Sequence, residues 1–157
     1  MDYPDVTNFL PLILALAAVR GMQAPLPAPA PAPQRLEAGV SLDYEFFKAN
    51  VQPVFLKKRP GNARCLVCHR GGGGATYLQP LSPGATTWDE EQSRKNFDAV
   101  RRLVVPGAPL KSKLLMHPLA EDAGGDEFHG GGHHWKSQDD PEWQTLAAWV
   151  RGERLTR

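Results

Sequence analysis

Cys65-Leu66-Val67-Cys68-His69 sets two thiols three positions apart and an imidazole directly after the second. This is the C-x-x-C-H haem-attachment pattern. Two thiols at that spacing can reach the two vinyl groups on one porphyrin edge and form thioethers, and His69 then falls under the iron as proximal ligand. Covalent bonds hold a haem even in a small, partly open domain, so the expected cofactor is one haem c. Three other chemistries can use such residues. A thioredoxin-like site wants its C-x-x-C to open a helix after a βαβ strand, and none precedes Cys65. A zinc site could add His129 and His133 to the two cysteines, but about sixty residues separate the pairs, against about 12–15 in a finger, and His69 has no role in it. A structural disulfide between residues three apart is poor geometry.

The chain that must position these residues has 157 residues, room for one ordinary domain with appendages. A formal net charge of +1 gives no global footprint for nucleic acid or an anionic membrane. Two cysteines rule out a disulfide-dense scaffold. Gly and Pro, fifteen each, stay below the quarter of a chain that marks low-complexity disorder, and 41% hydrophobic residues can build a modest core.

Residues 1–23 read as a signal-like or membrane-anchor segment. FLPLILALAAV (9–19) is apolar throughout, too short for the roughly 20 residues of a membrane span but suited to an export signal, and Ala15-Leu16-Ala17 offers a cleavage pattern. The preceding MDYPDVTN carries two Asp and no Lys or Arg, which implies an upstream start or an atypical signal; an uncleaved anchor stays open. A buried core helix is the competing reading, opposed by Pro11 and by the linker that follows. Residues 24–37 form that Pro/Ala-rich linker, in which APLPAPAPAPQ favours an extended spacer of roughly 30 Å. Residues 38–153 are the expected domain, and 154–157 a C-terminal tail. Export to the periplasm follows from the first segment, with membrane contact through it.

Within the domain the spacing predicts short helices and long loops, an all-α class. A helix over 43–51 starts at the Asp43 cap, with Gln52-Pro53 ending or kinking it. A second begins near Thr87, where Thr87-Trp88-Asp89-Glu90 reads as a capping box, and runs to Val104. A short piece covers Pro109 to Met116. The last has Asp140 as cap, Pro141 at its first position, Gly152 just past its end, and Trp143, Leu146, Ala147 and Val150 on one face.

Phe47-x3-Val51-x-Pro53-Val54-Phe55 leading into CLVCH, and Pro106-Gly107-x-Pro109-x2-Ser112-x-Leu114-Leu115, resemble planctomycete-type cytochrome c domains. HPLAEDAGGDEFHGGGHHW (117–135) and DPEWQTLAAWV (140–150) are similar to a variant common in acidobacterial exported proteins. The resemblance covers residues 42–152. It implies a class I-like cytochrome c fold, with helices around one covalently bound haem and the C-terminal helix crossing the N-terminal one. It also implies a second iron ligand in the loop before the final helix, often a Met before Pro. His129 occupies that slot, and glycines 124, 125, 130, 131 and 132 flank it, so the backbone there can approach a porphyrin closely. Met116 is the alternative, since His/Met ligation is familiar in electron-transfer cytochromes; its competing role is to continue the apolar Leu114-Leu115 surface. His117 reads as a helix end or a propionate partner, and His133 and His134 as exposed or propionate contacts. Trp135 is expected against the macrocycle.

The remaining features have plainer readings. Gly71–Gly74 lacks the G-K-[ST] ending of a phosphate loop and reads as a haem-edge loop. Arg64, Arg70, Arg101 and Arg102 are solvated or propionate contacts. Lys57-Lys58-Arg59 reads as a solvated turn, or as a basic cluster that steers a docking partner. The expected function is one-electron transport by a monohaem cytochrome with no catalytic residue, working with redox-partner proteins such as a membrane-bound electron-transfer complex. The alternative is a haem sensor or peroxidase-like enzyme with an open or displaceable distal position.

Overall fold

The fold begins with a helix that changes its winding twice. In the computed structural model, which describes residues 39–71 and 77–156, α1 (Tyr44–Phe46) runs into a π-helical turn, Phe47–Val51, and then into α2 (Gln52–Leu56). The Asp43 side chain accepts from the Phe46 N–H at 2.6 Å, capping the start. Pro53 does not end the helix. It sits in the first turn of α2, where a missing N–H costs nothing, and the wider π turn before it accommodates the proline ring.

α3 (Cys65–His69) is a single turn. α4 (Glu90–Val100) starts at Asp89, two residues later than the Thr87 box predicted. Asp89 and Gln92 exchange the two bonds of a capping box, and Asp89 has the extended backbone of a cap. The α-helix also stops short of Val104: a 3-10 turn, Arg101–Leu103, follows, and Val104 is extended and buried. A 3-10 turn at Pro109–Lys111 leads into α5 (Lys113–Met116), and another spans Glu121–Ala123. α6 (Pro141–Val150) follows the sequence reading at both ends: Asp140 accepts from the Glu142 N–H at 2.9 Å, and Gly152 follows at φ +91°. Among the described residues there is no strand, only three isolated bridges. The chain is helical, in keeping with an all-α class.

α6 packs on the N-terminal helical segment. Phe47 and Trp149, both fully buried, meet at 5.2 Å between ring centroids, and Phe97 of α4 closes an aromatic trio at 5.4 and 6.0 Å. The Trp149 indole donates to the Asp43 carbonyl at 2.9 Å, tying the last helix to the first cap. Leu115, Leu119 and Leu146, all fully buried, belong to the same core.

The chain divides into two units, Met1–Arg35 and Leu36–Arg157, and all described residues belong to the second. The readings for residues 1–23, for 24–37 and for Gly72–Gly74 lie outside the described residues. No helix among the described residues is long and apolar enough to cross a membrane.

Candidate functional site

α3 opens from an extended Arg64, and its one turn brings Cys65 onto the wall of a cavity of about 450 Å³. His69, at its other end, lines the same cavity. Cys68 lies on the exposed side of the turn. Pockets of this size commonly hold cofactors. Buried Phe55, Leu114 and Trp135 give it apolar walls, and His129, His117 and Asp126 give it polar groups.

His129 comes from the loop between α5 and α6, and the backbone holds that loop closed. Ala120 N–H donates to the Trp135 carbonyl at 2.9 Å, and His134 N–H to the Pro118 carbonyl at 2.8 Å. At Gly125 a Cβ would overlap the Leu119 carbonyl oxygen, so the fold requires glycine there. Gly132, at φ +76°, closes a turn on His129, and its carbonyl accepts from the His129 Nδ1–H at 2.7 Å. That bond fixes the tautomer: Nδ1 carries the proton and Nε2 keeps its lone pair for a metal. Burial also lowers the pKa of His129, and nearby histidines add to the effect, which favours the neutral imidazole a metal needs.

The rings of His69 and His129 lie within 13° of parallel, with centroids 6.1 Å apart. The rings are stacked, and their separation matches the roughly 6 Å that two imidazole-to-metal bonds of about 2 Å each would set between centroids. Met116 packs against the core and is not among the residues lining the cavity. Trp135 is 2% exposed and does line it. His117 lines it too and meets the Asp126 carboxylate at 2.9 Å. His133 turns away to donate to the Asp126 carbonyl at 3.1 Å. His134 reaches the wall with a buried Nδ1 that has no hydrogen-bond partner, and burial pulls its pKa down to about 4.

The zinc set weighed and set aside in the sequence is not assembled. Among the described residues no three or more His, Cys, Asp or Glu are grouped to hold a metal ion. A porphyrin iron takes four ligands from the macrocycle and needs only two from the chain. The residues present therefore fit haem better than a protein-only metal site.

Arg59 departs from the reading of 57–59 as a solvated or docking cluster, because it is only 8% exposed, whereas Lys57 and Lys58 are exposed as expected. Its Nε donates to Glu142 Oε2 at 2.6 Å, a second N–H pairs with the same carboxylate, and Nη2 also donates to the Val54 carbonyl at 3.1 Å. Its Nη1 lies 3.9 Å from Cys65 Sγ, and its guanidinium stacks over Trp135 at 5.8 Å. Burial pushes the Glu142 carboxyl up, but hydrogen bonds from Lys57 and Arg59 outweigh it and hold the group below the usual carboxylate range. Tyr77, missed in the sequence, stacks on His69 at 4.8 Å.

No family model, curated protein or solved structure matches this chain.

Proposed function

We propose that this protein is a monohaem c-type cytochrome of class I-like fold that carries one electron at a time between redox partners outside the cytoplasm. The observation that carries the reading is the near-parallel His69–His129 pair, 6.1 Å apart across a cavity that also takes in Cys65. The packing of α6 on the N-terminal helical segment supports the fold assignment.

A bound haem supplies a one-electron iron couple. The chain's residues do the rest. Cys65 and Cys68 would anchor the macrocycle covalently, and His69 and His129 would be the two residues that hold its iron. Phe55, Leu114 and Trp135 keep water from the iron and lower the local dielectric. With histidine rather than methionine as second ligand, the site lacks the thioether that raises the potential of His/Met cytochromes. No group is assigned to substrate chemistry, so the protein is not an enzyme on this reading. Residues 1–23 export it or tether it to the membrane, where membrane-bound complexes are the natural partners.

One observation favours the sensor or peroxidase-like alternative: His117, paired with Asp126, stands 4.9 Å from His129 and could act as an acid–base group if that ligand moved aside. An optical spectrum of the purified protein separates the two. Low-spin bands that do not change on adding carbon monoxide or cyanide are the expected result. A high-spin spectrum that shifts on adding either would replace the carrier with the alternative.

A further inference from the structure

The geometry points to Asn96 as a positioning residue for the proximal histidine, acting through residues 77–79 to fix the orientation of the His69 imidazole plane. This rests on the reading of the cavity as a haem site.

Asn96 lies on α4, fully buried, and does not line the cavity. Its Oδ1 accepts from the Gln79 N–H at 2.7 Å, and the Trp88 indole donates to the Gln79 carbonyl at 2.7 Å, so both backbone groups of Gln79 are held. One residue earlier, Leu78 N–H donates to the His69 carbonyl and its carbonyl accepts from Gly71 N–H, both at 2.8 Å. One residue earlier again, the Tyr77 ring lies on the His69 imidazole at 4.8 Å and 30°. Three consecutive residues thus pass a fixed position from α4 to the backbone and ring of His69.

Asn96 is itself held. Its Nδ2 donates to Gln52 Oε1 at 3.4 Å, and Gln52 Nε2 donates to Ser93 Oγ at 3.0 Å. Gln52, Ser93 and Asn96 are 5%, 0% and 0% exposed. Three buried polar side chains in a helical core are costly unless satisfied, and an apolar trio would pack there without that cost. Among the described residues, the link this network makes outside α2 and α4 is the one to Gln79. A histidine bound to a metal through one ring nitrogen can still turn about that bond, and a partner that orients the ligand tunes the metal. A backbone clamp and a covering ring oppose such turning.

The test is paramagnetic proton NMR of the oxidised full-length holoprotein, since the spread of the haem methyl shifts follows the planes of the axial imidazoles. Asn96→Ala is expected to change that spread while haem content and low-spin bands stay as in the wild type. Asn96→Asp keeps an acceptor for Gln79, with the Gln52 carboxamide turned over to donate to it, and is expected to restore the wild-type pattern. A folded Asn96→Ala protein with unchanged shifts would overturn the inference, as would a change that Asn96→Asp does not reverse. If Asn96→Ala does not fold, Tyr77→Leu decides, because it leaves the buried network intact: altered methyl shifts support the clamp and unaltered ones overturn it. A wild-type protein without haem resonances would instead remove the reading of the site, and the inference with it.

Discussion

His129→Ala is the most informative change at a single residue. It removes the Nε2 lone pair that the Gly132 carbonyl leaves available, and the expected outcome is a shift from low-spin to high-spin bands with the haem still attached. Retained low-spin bands, or a sulfur-to-iron charge-transfer band in the oxidised wild-type protein, would move the second ligand to another group, Met116 first. His134 allows a pH prediction. Its folded pKa is about 4, against an ordinary 6.5. Between those values the unfolded chain binds a proton that the folded chain refuses, so protons favour unfolding. This contribution leaves stability intact above about pH 6.5 and erodes it as pH falls toward 4. Denaturant midpoints at pH 7 and 5 should therefore fall less for His134→Phe than for the wild type; equal falls would contradict the buried neutral imidazole. Cys65, His69, His129 and Trp135 were named from local patterns in the chain and all line the cavity, while Cys68, named with them, is exposed. Arg59 was not legible in this way, because what makes it a core residue is a carboxylate 83 positions later. Tyr77 was missed for a similar reason, since it meets His69 only after the chain turns back through the Leu78 bridge.

At the scale of elements, α6 carries its own instructions in sequence, an Asp cap with Pro next to it and a glycine beyond the end, and it formed where they said. The start of α4 was misread because Thr87 and Asp89 are both good caps. Each has a third neighbour able to answer, but Glu90 is taken by Tyr44, Lys48 and Arg94, whereas Gln92 bonds back to Asp89. Gln52-Pro53 was expected to end or kink the first helix; the helix does not end there, because the π turn before it changes the winding and a new first turn begins around the proline. The first turn of α6 also supplies Glu142, which holds Arg59 beside the cysteine turn. Glu142→Gln leaves that guanidinium buried without its counter-charge. The expected cost is about 3 kcal/mol in the unfolding free energy obtained from denaturant titration. A loss under about 0.5 kcal/mol, typical of exposed pairs, would mean that the pair is solvated in the folded protein.

Across the described residues, the end of α3 presents His69 to the cavity and the loop between α5 and α6 presents His129, on a frame of packed helices. The aromatic trio of Phe47, Phe97 and Trp149 fixes α6 against the N-terminal helical segment, so the loop between α5 and α6 must return past α3, bringing His129 to face His69. A helical class could be read from periodicity alone, whereas that facing geometry comes from packing distant in sequence. The central claim is that Cys65 and Cys68 are consumed in thioether bonds to one haem. Mass spectrometry under denaturing conditions tests it most directly, on full-length protein produced in a host that matures c-type cytochromes. The account predicts a chain heavier by one haem, with no thiol left to alkylate, and the loss of that adduct in the Cys65→Ala, Cys68→Ala double variant. An unmodified mass with two reactive thiols, or with a disulfide in their place, would contradict it.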